Sequence, residues 1–188
     1  MKMNTRVLFS SGQHKNHATD RRCFMEIVEI NPTDKAEEIK TLLMGLNSEV
    51  KTSTDEGYTW LQDHSICVIA HNPTHEKMLE IELEEQGKFS LFFGGHHCHY
   101  CADAEEYARL SGDIQAILEN RLCAATICYG DKQWLGSRLV NEESIYAPYQ
   151  NNFEFVLKHQ EFSDKIKECG GVISYLFWDS NKDVQISI

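Results

Sequence analysis

Residues 79–93 carry the pattern that most narrows what this chain can fold into. Leu79, Ile81 and Leu83 alternate with Glu80, Glu82 and Glu84; Glu85-Gln86-Gly87 interrupts the run, and Phe89, Leu91 and Phe93 resume it. Successive side chains of a β-strand point to opposite faces, so a period of two sorts aliphatics onto one face and carboxylates onto the other. A turn-forming triplet between two such runs predicts an antiparallel hairpin. The aliphatic residues are expected to face a core, and Glu80, Glu82 and Glu84 a solvated surface.

Similar signals recur along the chain. Val7–Ser10 and Cys23–Ile30 read as strands flanking a polar loop, 12–22, that is locally basic. Asn31-Pro32-Thr33-Asp34 reads as a turn and N-cap, with Glu37 in capping-box spacing after Asp34. Ala36, Ile39, Leu42, Leu43 and Leu46 then recur at helical spacing. Ile66–Ala70 reads as a buried strand, and a second helix opens at Asp103 and runs to about Arg121. Residues 122–129 and 133–140 read as a second hairpin around Gly130-Asp131-Lys132. Beyond it, 142–152 reads as a long connection, the stretch to Cys169 as a helix stopped by Gly170-Gly171, and 172–188 as a third hairpin. Hairpins with interspersed helices predict an α+β fold, a largely antiparallel sheet with two or three helices packed on one face. With no repeat, linker or charge block, the expectation is a single domain spanning 1–188.

Composition limits the function classes. The chain carries 18 Lys plus Arg against 29 Asp plus Glu, a net charge of −11, and such a surface repels phosphate backbones, so no nucleic-acid partner is expected. The longest apolar run, 122–129, is far short of a membrane span, and the first residues lack the apolar core of a secretory signal. Seven cysteines, at 23, 67, 98, 101, 123, 128 and 169, are an odd number without framework spacing, which favours thiols and a cytoplasmic location. The glycine-rich nucleotide-binding motifs, H-E-x-x-H and G-x-S-x-G are all absent.

One segment is rich in chemistry: His96-His97-Cys98-His99-Tyr100-Cys101. Extended, it would put His97 and His99 on one face, as a two-histidine zinc site requires; in a turn, Cys98 and Cys101 have C-x-x-C spacing. A catalytic zinc needs three protein ligands, and His71, His75 or a carboxylate could supply the third, although Pro73 disfavours a helix joining His71 to His75. The alternative to metal is a strand end whose imidazoles and thiols are partly buried and hydrogen-bonded. Zinc is thus the one cofactor candidate, and the leading expectation is no cofactor. Trp134 is ordinarily a core residue, with presentation beside the histidines as its functional alternative.

The stretch Phe89-Ser90-Leu91-Phe92-Phe93-Gly94-Gly95-His96-His97-Cys98-His99-Tyr100, followed by an acidic helix, an apolar strand and Gln133-Trp134-Leu135-Gly136-Ser137, resembles small bacterial immunity proteins of polymorphic toxin systems. The resemblance covers residues 89–140, with His97 and His99 matching the histidine element, and Trp134, Gly136 and Ser137 the later strand. The doubled histidine and the pair Cys98 and Cys101 depart from that pattern. The resemblance implies a non-catalytic protein that holds a toxin or another partner. The expectation is therefore a protein-binding protein using Glu80, Glu82, Glu84, His97, His99 and Trp134 on a basic partner. The alternatives are a metal-dependent hydrolase centred on His97 and His99, and a self-assembling structural module.

Overall fold

The computed structural model describes residues 29–130 and 133–188. The expected strand Val7–Ser10, the basic loop 12–22 and most of the expected strand 23–30 lie outside the described residues, as do Asp131 and Lys132.

The elements run in order: a 3-10 helix Pro32–Lys35, α1 Ala36–Leu42, β1 Asn47–Thr52, β2 Ile66–His71, β3 Met78–Leu83, β4 Lys88–Phe93, β5 His96–Cys101, α2 Ala104–Leu118, β6 Leu122–Tyr129, β7 Gln133–Asn141, a 3-10 helix Glu142–Tyr146, α3 Tyr149–Leu157, α4 Gln160–Cys169, β8 Gly171–Leu176, a 3-10 turn Ser180–Lys182 and β9 Val184–Ser187. The expected α+β class is what the structure shows, with every strand pair antiparallel. The strands form two sheets rather than one, a meander β1-β2-β3-β4-β5 and a second sheet β7-β6-β8-β9, accompanied by four α-helices.

The reason for two sheets lies in the connection and in β6. After β5 the chain enters α2, whose Leu110, Ile114 and Ile117 recur on one face and bury against Leu79, Ile81, Leu83, Phe89, Leu91, Phe93 and Tyr100 of the first sheet, beside Ile39 and Leu43. The next strand, β6, is apolar on both sides. Ala124 closes this first core, whereas Cys123, Ala125 and Ile127 face a second core with Phe153, Val156, Ile166, Ile173, Tyr175 and Phe177. The continuous apolar run in the sequence therefore marks a wall between two cores, as expected for a strand buried on both faces.

The β4–β5 turn pins the sheets together. Phe93 pairs with His96 across a two-residue turn, and Gly94 and Gly95 both hold positive φ, +56° and +79°, as tight hairpin turns of the primed type require. A Cβ on Gly94 would lie 2.9 Å from Ala124 Cβ and 3.2 Å from Leu176 Cβ, so the turn backbone rests directly on the second sheet. Nearby, Asn72 Nδ2 donates to the Trp178 carbonyl at 2.7 Å, and Lys77 Nζ donates to the Phe177 carbonyl and the Asp183 carboxylate, each at 2.7 Å.

Three local expectations change. Asn31, not Asp34, caps the first helical segment: its Oδ1 accepts from the Thr33 amide, because Pro32 starts a 3-10 turn before the α-helix. The 142–152 connection is largely helical, and a break at Lys158 and His159 divides the following stretch into α3 and α4. Glu82 does not stand on a solvated face. It lies in the middle strand of five, flanked by Cys67 and Ser90, and is only 9 % exposed. Among the described residues, no helix is long and apolar enough to cross a membrane.

Candidate functional site

Strand alternation determines what each side chain of β5 can meet. Cys98 pairs across from Leu91 and Tyr100 from Phe89, so both face the first core. Tyr100 Oη donates to Asp113 Oδ2 at 2.8 Å and lies 3.1 Å from Cys98 Sγ. His97, His99 and Cys101 point the other way, beside Phe92, Ser90 and Lys88. The expectation that His97 and His99 share a face is met, with ring centroids 5.4 Å apart. The turn-like C-x-x-C arrangement is not formed: residues three apart in a strand project to opposite faces, so Cys98 is partly buried inside and Cys101 exposed outside.

The outer face of the first sheet is a grid of cross-strand neighbours. One row runs Lys51, Cys67, Glu82, Ser90 and His99; the next runs Glu49, Ile69, Glu80, Phe92 and His97. At one side the 53–65 segment folds over β2, where Tyr58 and Leu61 cover Cys67 and Ile69. Tyr58 Oη also donates to Glu80 Oε1 at 3.2 Å. At the other side Met78, His97 and His99 remain exposed. Phe92 and His97 stack at 5.9 Å, and Ser90 Oγ is hydrogen-bonded to His99 Nδ1 at 2.9 Å. Between them, Met78, Glu80, Phe92, Gly94, Gly95 and His97 line an open groove of about 340 Å³ that also reaches Phe93 and His96.

Burial sets the electrostatics of this face. It raises the Glu82 carboxyl above its ordinary value, the neighbouring Glu84 adds to the rise, and Lys88 opposes it. It pushes the Cys67 thiol up to about 12, which leaves that sulfur protonated and inert. The His99 imidazole is lowered by burial first and by Lys88 second. His96, turned toward the second sheet and hydrogen-bonded through Nδ1 to Ser137 Oγ at 3.0 Å, is lowered to about 4 by burial, His97 and Arg138. Glu84 Oε1 lies 3.5 Å from Lys88 Nζ, a half-buried contact in which the Glu84 side chain is 16 % exposed and that of Lys88 43 %.

The other expected site residues fall elsewhere. Trp134 is not in a core: it is 58 % exposed, opposite Cys128 on the second sheet, and contributes nothing to the groove. The shift in register between Ile127 and Cys128 releases it, because the extra residue, Leu135, takes the inward place against the second core. His71 Nε2 is engaged 3.0 Å from Glu49 Oε1, and His75 lies in the β2–β3 loop. Among the described residues, no group of three or more His, Cys, Asp or Glu side chains is placed to hold a metal ion. The third ligand a zinc hydrolase needs is therefore not assembled beside His97 and His99 among those residues. Sequence reasoning did not single out Met78, Phe92 or Tyr58; the outward register of Phe92, next to Leu91 in an alternating strand, was the available signal.

Comparison with known proteins adds no relative: no family model, no curated protein and no solved structure matches the chain.

Proposed function

We propose that this chain is a non-catalytic, cytoplasmic protein-binding protein of the toxin-neutralising, immunity-like kind, and that it engages a basic protein partner with the outer face of β3–β5. One observation carries the reading: Glu80, Glu82, Phe92, His97 and His99 are cross-strand neighbours on the sheet face opposite the one on which, among the described residues, α1 and α2 pack. The chemistry of that face suits recognition better than turnover. Its thiol at Cys67 is protonated, and Ser90, although bonded to His99, is fully buried and out of reach of a substrate. Net charge −11 supplies a field that speeds encounter with a cationic surface and repels acidic competitors. Neutralisation would follow from occlusion, with Phe92 and Met78 at the centre and charge setting orientation.

The test is co-expression. Each protein encoded beside this one is expressed in a bacterial host with and without the chain. Rescue of growth from one of them, lost when Glu80 and Glu84 are both changed to Lys, supports the reading. Absence of any toxic neighbour, or rescue indifferent to that charge reversal, overturns it.

A further inference from the structure

The groove beside Glu80 has a shape and chemistry that narrow what the partner presents there. Building on the binding-protein reading, we propose that this groove seats an arginine side chain of the partner, its guanidinium stacked on the Phe92–His97 pair and hydrogen-bonded to Glu80.

Three observations converge on this occupant. The Glu80 carboxylate accepts one hydrogen bond, from the neutral Tyr58 hydroxyl, and no Lys or Arg pairs with it among the described residues. One pleat further along the same face, Glu82 is nine-tenths buried, with neither a hydrogen bond nor an ion pair to any described residue. Among the described residues no side-chain oxygen is both fully buried and without a hydrogen bond, so what the two acids offer an arriving cation is the attraction of their field, with Glu80 alone at the groove wall. Stacking of Phe92 on His97, at 26° between planes, makes a flat ledge immediately across the strands from Glu80.

The ledge discriminates between cations. A guanidinium is planar and weakly hydrated, stacks on aromatic rings and offers parallel N–H donors to a carboxylate. An ammonium is a compact, strongly hydrated point charge that gains little from a flat ledge. Met78, 42 % exposed at the groove, offers a flexible thioether to the aliphatic stem of the incoming side chain. The turn residues Gly94 and Gly95 close one end of the groove.

The experiment is a titration of the full-length, ¹⁵N-labelled chain at low salt with N-acetyl-arginine amide and, separately, N-acetyl-lysine amide, read by amide chemical shifts. The arginine compound is expected to move the amides of residues 78–80 and 92–97, with a dissociation constant on the order of 1 mM, and the lysine compound to bind ~5-fold more weakly. Glu80→Gln, isosteric and at the surface, is expected to weaken arginine ~10-fold while the rest of the spectrum stays unchanged. Phe92→Leu is expected to narrow the difference between arginine and lysine. Equal binding of the two compounds, shifts centred elsewhere, or indifference to Glu80→Gln would overturn the proposal. The two readings fail separately: growth rescue without arginine binding discards the groove occupant alone, and arginine binding without any rescued toxin discards the neutralising role alone.

Discussion

The imidazole of His96 and the hydroxyl of Ser137 meet at 3.0 Å across the seam between the two sheets. Burial there holds His96 near 4, below its ordinary 6.5, so the unfolded chain binds a proton that the folded chain refuses. Stability from this group is complete above about pH 6.5 and is lost as pH falls toward 4. His99, also lowered, acts in the same direction, whereas the raised Glu82 carboxyl acts in the opposite one, taking up its proton earlier in the folded state. The net slope is expected to follow His96, the most strongly shifted imidazole. Urea midpoints at pH 7 and pH 5 should fall for the natural chain and fall less for His96→Gln. An unchanged pH dependence in that variant refutes this assignment.

Gly94 and Gly95 differ in what surrounds them, and alanine should separate the two effects. At Gly94 a Cβ meets Ala124 Cβ at 2.9 Å in addition to the left-handed backbone, whereas at Gly95 the nearest atom is Thr126 Cγ2 at 3.8 Å. Gly95→Ala is expected to cost about 1–2 kcal/mol, the conformational penalty alone. Gly94→Ala adds overpacking against the second sheet, for a total of about 2–4 kcal/mol. Equal losses of unfolding free energy in the two variants would show that the sheets yield at the seam.

Leu91 and Phe92 are adjacent on β4 and face opposite sides. Leu91 is fully buried, and truncation to Ala is expected to destabilise by about 2–5 kcal/mol. Phe92→Ala, on the half-covered outer face, should cost well under half of that, yet remove the stacking ledge. Denaturant midpoints and the arginine titration together check both halves of this contrast.

Thiol labelling should report the alternation of β5 directly. Cys101 and Cys169 are exposed and are expected to alkylate in the native protein, whereas Cys67 and Cys123, both fully buried and pushed up to about 12, should react only on unfolding. Mild oxidation should produce no bridge between Cys98 and Cys101, since their side chains leave opposite faces of one strand. A Cys98–Cys101 disulfide found by mass spectrometry in the folded monomer would contradict the strand.

Much of the local structure was legible because it rests on local rules. The alternation from Leu79 to Phe93 is a property of the polypeptide's pleat, and the expected hairpin around Glu85-Gln86-Gly87 is formed, with Leu83 opposite Phe89. The same rule placed His97 and His99 on one face, and it also separates Cys98 from Cys101 once the segment is known to be extended. Whether that segment is a strand or a turn was not local information. It follows from Phe89, Leu91 and Phe93 offering β5 a complete row of backbone partners.

The remaining differences are matters of what lies across the molecule. Alternation by itself determined which way Glu82 points, and composition determined that the chain is acidic. Tertiary structure alone decided that Glu82 is buried, because its flanks are filled by Cys67 from one strand and Ser90 from another. It decided likewise that Trp134 is exposed, through a one-residue shift against β6, and that β6 divides two cores. Side-chain direction is set by the bonds of a few consecutive residues; burial is set by neighbours distant in sequence, and the groove beside Glu80 exists only where those neighbours meet.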